Sequence, residues 1–150
     1  MAGASRCAGM LAAALVVSAS GCATTGNGGR YTIASGEIRE PLSTAATDTE
    51  RGRKVLVSRE SNCILCHAVP ETGERFFGNL APPLSGVGKR LSAAQIRARI
   101  VDPLAFNRES IMPAYYRVEG LNRVAENLRG KPVLSAEQIE DVIAYLQTLQ

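Results

Sequence analysis

The apolar positions near the C-terminus recur with a helical period. Ile139, Val142, Ile143, Leu146 and Leu149 fall on one face. Ser135-Ala136-Glu137-Gln138, a capping box, opens that helix. The same device appears earlier as Ser92-Ala93-Ala94-Gln95, ahead of an apolar stripe of Ile96 and Ile100 that Asp102-Pro103 closes. Arg97 and Arg99 lie mostly off this stripe, which predicts a solvated face for both, the alternative being pairing with propionates or a partner. Upstream, Asp48 or Thr49 caps a helix from about Glu50 to Arg59. Gly52 costs that helix about 1 kcal/mol relative to alanine. The cost is understandable if the C-terminal helix crosses closely there, with Val55 and Leu56 as neighbouring contacts. Leu121, Val124, Ala125 and Leu128 predict one more helix over 118–129, stopped by Gly130 and Pro132. No alternating run predicts a strand and no segment repeats, so the expected class is all-α.

Between these elements the chain is punctuated. Residues 70–90 are loop-rich, with glycines and prolines throughout. Residues 23–36 read as a polar, glycine-rich tether, and 37–48 carry no helical period. Pro41 and the Ser/Thr content suggest an extended arm, either a free linker or a segment that packs along a partner.

Composition sharpens the picture. A chain of 150 residues suits one modest domain. It has no tryptophan, three phenylalanines and four tyrosines, so a core made of side chains alone would be thin. A large buried apolar cofactor would fill it. The net charge of +3, with no basic run, argues against nucleic acid.

The leader explains where such a cofactor would be added. Residues 1–21 read as a secretory signal, with Arg6 the sole charge and Met10 to Val17 an apolar run too short to span a bilayer. Ala19-Ser20-Gly21-Cys22 is similar to a lipobox, which would acylate Cys22 and leave the membrane involved only through that anchor. Ordinary cleavage after Ala23 is the alternative. Loss of the leader removes one basic charge, leaving 16 basic against 14 acidic groups, or +2. The expected organisation is thus signal 1–21, tether and arm 22–48, and a domain over 49–150 in the periplasm.

Cys63-Ile64-Leu65-Cys66-His67 carries the chemistry. C-x-x-C-H is the attachment signature of c-type haem. One turn of backbone offers two sulfurs to the two vinyl groups of one haem edge, and the next residue brings its imidazole to the iron. A zinc site or redox dithiol would also use C-x-x-C. His67 is the only histidine, however, and the other cysteines, Cys7 and Cys22, lie in the leader, so a four-ligand zinc set is lacking. No βαβ pattern supports a thioredoxin-like motif.

His67 fills one axial position. Met1 and Met10 go with the leader, which leaves Met112, 45 residues after His67, as the candidate for the other. Met112 sits in the loop Ile111-Met112-Pro113-Ala114-Tyr115-Tyr116, and the plainer alternative is a core-filling methionine. A neutral thioether ligand favours ferrous iron and raises the potential. With both positions filled, the iron would transfer electrons and offer no open site to a substrate. Pro82 is the candidate for a backbone carbonyl that orients the His67 ring. For Tyr115 and Tyr116, propionate contacts, partner contacts and edge packing all remain open.

The order of helix, C-x-x-C-H, proline loop, helix, methionine loop and helix resembles class I cytochrome c, wrapped around one covalent haem. Within that class the chain is similar to SoxX, the small monohaem subunit of the SoxAX cytochrome of sulfur oxidation. The resemblance rests on Ile38 to Leu42, Thr49 to Arg53, Asn62 to His67, Gly78 to Leu84, Ile100 to Pro103, Met112 to Val118, Gly130 to Leu134 and Glu140 to Leu146. Ala81-Pro82-Pro83 stands where Gly-Pro is more usual. The resemblance implies a SoxA-like partner chain that joins thiosulfate to the carrier cysteine of SoxYZ, an L-cysteine S-thiosulfotransferase reaction. This chain would be its non-catalytic electron acceptor, passing electrons to a downstream cytochrome c. A free-standing periplasmic shuttle and a haem-based sensor are the rival readings.

Overall fold

The structure is a computed structural model that describes residues 24–26 and 29–150. The leader and Cys22 readings fall outside the described residues. Helix α1, Thr49–Val57, begins at Asp48, whose carboxylate accepts the Arg51 backbone N–H at 2.9 Å. The single-turn helix α2 spans Cys63–Cys66, α3 spans Val87–Arg90, α4 spans Ala93–Val101 and α5 spans Ala136–Thr148. Both capping boxes form, at Ser92/Gln95 and at Ser135/Gln138.

The core centres on α5, which packs against α1, α4 and α3. Its buried stripe of Ile139, Val142, Ile143 and Leu146 meets Leu56 of α1 and Ile96 and Ile100 of α4. α1 crosses α5 at Gly52, where an added Cβ would lie 1.9 Å from the Asp141 carbonyl oxygen. Only glycine permits that approach. The cost in helix propensity is the condition of this close helix crossing.

Three expectations are corrected. Residues 118–129 form no α-helix. Gly120 and Arg123 adopt left-handed φ of +65° and +59°, which interrupts any helical ladder, and only the 3₁₀ turn Glu126–Leu128 remains. The apolar residues of the predicted stripe are half-buried or exposed, so no core face rewards helix formation. Secondly, the glycine-rich tether holds a short antiparallel hairpin, β1 Thr24–Gly26 with β2 Gly29–Tyr31, although no strand was expected. Thirdly, Arg97 is not on a solvated face. It is buried and forms a two-pronged ion pair with Glu140 of α5, at 2.7 and 2.8 Å.

That ion pair explains the arm. The arm is docked on its own domain. Arg97 also donates to the Ile38 carbonyl at 2.7 Å, and Glu140 accepts the Leu42 N–H at 2.8 Å. The Ile38 N–H reaches the Ala94 carbonyl, and the Asp48 N–H reaches the Asp141 carboxylate. A tight turn precedes this: Ser35 and Gly36 both have positive φ between the bridged residues Ala34 and Glu37. It leaves Ile38 buried against the core and places Tyr31 beside Tyr116, ring centroids 6.2 Å apart. Among the described residues, no helix is long and apolar enough to cross a membrane.

Candidate functional site

The C-x-x-C-H segment is held from three sides. Asn62 enters it with φ of +51°, a left-handed conformation that asparagine tolerates, and α2 then turns once so that the His67 N–H bonds to the Cys63 carbonyl at 3.0 Å. Both thiols are free. The Ser61 hydroxyl bonds back to the carbonyls of Val55 and Leu56, fixing the segment to the end of α1.

On the second side runs the proline loop. The N–H groups of Gly78, Ala81 and Leu84 donate to the carbonyls of Ile64, Cys66 and Ala68, at 2.8, 3.0 and 2.9 Å. Gly78 is required by this approach, because a Cβ there would sit 1.9 Å from the Leu65 carbonyl oxygen. The last two of these bonds bracket Pro82, whose carbonyl lies 2.6 Å from His67 Nδ1. With the proton on Nδ1, that nitrogen donates to Pro82 and leaves the Nε2 lone pair free for a metal.

The third side is the methionine loop. The Tyr115 hydroxyl donates to the Ser61 carbonyl, tying this loop to the start of the C-x-x-C-H segment. Tyr115 is itself clamped, its N–H on the Ile100 carbonyl and its carbonyl accepting the Leu134 N–H, each at 3.1 Å. Tyr116 packs against Tyr31. Edge packing and a backbone bond therefore account for the two tyrosines. Met112 is three residues from the clamp and half-buried.

These elements line an apolar cavity that is partly open to solvent. Its walls include Leu56, Leu84, Ile96, Val142 and Leu146, and Cys63, His67 and Met112 also line it. A second, smaller cavity adjoins it and is lined by Cys66 and again by Cys63, His67 and Met112. The histidine and the methionine thus share both spaces. Burial pushes the Tyr115 phenol above its ordinary value. Arg99 is the one charged side chain on the larger cavity.

A large apolar slot with two cysteines, an imidazole and a thioether on its walls fits a covalent haem. It also explains the scarcity of aromatic side chains, since the core is built around a space that they do not fill. Among the described residues, no group of three or more His, Cys, Asp and Glu is arranged to hold a bare metal ion.

Sequence reasoning missed Arg97, Glu140 and the role of Tyr115. The signal available was weak: a charged residue beside a helix stripe reads as solvent-facing until the distant carboxylate that meets it is known.

Comparison with known proteins agrees with this geometry. The cytochrome c family matches residues 49–150. Cytochrome c oxidase subunit 2 of Alkalihalophilus pseudofirmus is 32% identical over 124 residues, which are 77% of this chain. The match spans only 29% of that relative's length. A chain in the crystal structure of SoxXA from P. pantotrophus superposes with a TM-score of 0.74 at 32% identity, covering 85% of this chain and 98% of that one. Fold, cavity and near-complete coverage of the SoxXA chain lead to one assignment: this chain belongs to the cytochrome c family, as a SoxX-type class I electron-transfer cytochrome with covalently bound haem c.

Proposed function

We propose that the chain is the electron-accepting subunit of a SoxA-containing L-cysteine S-thiosulfotransferase in the periplasm. In this reading Cys63 and Cys66 would hold the haem, His67 and Met112 would bind its iron, and Pro82 would fix the His67 ring. When bound, the haem supplies a one-electron couple. The partner chain joins thiosulfate to the thiol of a SoxYZ-like carrier: R–SH + S₂O₃²⁻ → R–S–S–SO₃⁻ + H⁺ + 2e⁻. An S–S bond forms and two electrons leave, so this chain accepts one electron twice and passes each to a downstream cytochrome c. Both cysteines of the domain hold the haem in this reading, which supports a sulfur chemistry carried by the partner.

The observation that carries the reading is the meeting of His67 and Met112 on one apolar cavity in a chain that matches nearly the whole of a SoxXA chain. The test is gentle isolation from the native periplasm, with native mass and haem count, followed by addition of thiosulfate and SoxYZ. A complex with a second c-type chain, reduced only when both additions are present, supports it. The second reading, a free-standing shuttle, is favoured by the match to part of an oxidase subunit. A lone monohaem monomer, inert to both additions but exchanging electrons with other cytochromes, would establish the shuttle. A ferrous spectrum that shifts on addition of CO would instead indicate an open iron position and a sensor.

A further inference from the structure

Two oppositely charged side chains stand at the two ends of the methionine loop. Asp102 closes α4, and Arg117 follows the buried stretch Ala114 to Tyr116. Met112 lies between them in the chain. Beside them the Arg117 N–H bonds to the Val101 carbonyl at 3.3 Å and the Tyr115 N–H to the Ile100 carbonyl at 3.1 Å. The loop thus leaves α4 and returns to it at one place. Its internal hydrogen bonds are local: the Phe106 and Asn107 N–H groups reach the Pro103 carbonyl, the Ser110 N–H reaches the Asn107 carbonyl, and the Met112 N–H reaches the Ser110 hydroxyl. Placement of the thioether is therefore decided largely at the root.

The ion pair at this root is half-made. Arg117 Nη1 lies 3.4 Å from Asp102 Oδ2. Asp102 is 8% exposed, yet its Oδ1 is buried without a hydrogen-bond partner among the described residues, and so is Arg117 Nε. Arg97 and Glu140 show the contrast, because both prongs of that pair close, at 2.7 and 2.8 Å. A buried carboxylate and guanidinium with idle atoms are a poor device for stability alone. The idle Oδ1 and Nε are one acceptor and one donor, which a closer, two-pronged pairing of the same groups would join.

That slack is what lets the pair act on the loop. A tie biases a loop between two positions only if it is stronger in one of them. A pair already complete has no closer state to reach, and this one has.

We propose that Asp102 and Arg117 are positioning residues for the methionine ligand: they clasp the root of the loop and tighten when Met112 engages the iron, so that the ion pair and the iron–sulfur bond stabilise each other. The inference rests on Met112 as the ligand and not on the thiosulfate reading.

The test is titration of the ferric holo-protein, isolated without partner, with imidazole, which must displace the thioether to bind the iron. Asp102→Asn and Arg117→Gln keep the shapes and remove the charges. Each is expected to tighten imidazole binding by about tenfold, and the double variant by little more than either single change, as for one shared interaction. Arg117→Lys should recover part of the wild-type resistance, since an ammonium keeps the charge without the fork. In a Met112→Ala background Asp102→Asn should leave imidazole binding unchanged, because no thioether is there to displace. Single variants that lose stability in denaturant but bind imidazole like wild type would overturn the proposal, leaving a structural tie only. An equal tightening in the Met112→Ala background, or effects that simply add in the double variant, would overturn it as well. Imidazole binding and a ferric spectrum both unchanged by Met112→Ala alone would instead remove the methionine ligand, and the clasp with it. Should Arg117→Gln give no holo-protein, Asp102→Asn in the two backgrounds decides alone.

Discussion

Replacing Arg97 by methionine tests how the arm, α4 and α5 are joined. Methionine keeps much of the arginine stem but removes the charge. Glu140 would then be buried with its side chain 6% exposed, without the two guanidinium bonds at 2.7 and 2.8 Å. The Leu42 N–H would be its one remaining partner. The Ile38 carbonyl, in a residue 2% exposed, would lose its donor. Breaking a buried pair by removing one member costs about 3–5 kcal/mol. For a domain of this size, that corresponds to a fall in Tm of about 15 °C or more. The assay is equilibrium unfolding of the ferric holo-protein, followed by far-UV circular dichroism and by the Soret band.

Pairing this change with Glu140→Leu removes the orphaned carboxylate. Only the Leu42 N–H and the Ile38 carbonyl then lack partners, at about 1–3 kcal/mol each, and the Ile38 loss is common to both variants. The double variant should therefore be more stable than Arg97→Met alone. A single-variant loss below about 1 kcal/mol, or a double variant as unstable as the sum of the two singles, would refute the claim that this pair is buried and coupled. Trypsin adds a local readout. Arg39 is exposed beside the latch, and cleavage after it should accelerate in Arg97→Met before the domain unfolds.

Three further outcomes follow from the packing. Gly52→Ala forces a methyl onto the Asp141 backbone; a strain near 3 kcal/mol against about 1 kcal/mol of helix propensity predicts a net loss of about 2 kcal/mol by denaturant titration, and a gain in stability would contradict the crossing. Met112→Ala is expected to lower the reduction potential and abolish the weak charge-transfer band at the red end of the ferric spectrum; an unchanged spectrum would exclude Met112 as a ligand. Burial pushes the phenols of Tyr115, Tyr116 and Tyr145 above their ordinary value of about 10. The folded state thus favours their neutral form, so their contribution to stability is complete below about pH 10 and is lost as pH rises above it. Unfolding free energies measured from pH 8 to 11 should be level and then fall, with a shallower fall in Tyr116→Phe.

What was legible in the sequence is what a few neighbouring residues decide. The two capping boxes, the Asp48 cap and the α5 stripe each depend on groups within one or two turns, and each is found. Gly52 was legible for a related reason: a glycine in a helix is a local defect, and a defect needs a distant cause. The hydrogen bond between Pro82 and His67 needed only a loop long enough to return past the ring. Arg97 failed because its partner Glu140 lies 43 positions away on another helix. Neither residue shows locally that the other is there, and the arm bonds to both. The tether failed because backbone pairing, not a side-chain pattern, defines its hairpin.

The false helix at 118–129 has a more instructive cause. The stretch from Ala114 to Tyr116 is fixed to the core, with the Tyr115 N–H on Ile100, the Arg117 N–H on Val101 and the Leu134 N–H on Tyr115. Both ends of residues 118–133 are therefore tied at nearly one place. A twelve-residue helix would span about 18 Å, and the remaining few residues would have to run that distance back. The positive φ at Gly120, Arg123 and Gly130 folds the segment on itself instead. The same ties hold Met112 three residues from Tyr115, whose hydroxyl is anchored at Ser61 beside Cys63. A short, fixed root suffices to hold Met112 on the cavity wall that it shares with His67, without a helix beyond it. The apolar period of 118–129 describes side chains that lie along the surface of that closed excursion, not one buried face.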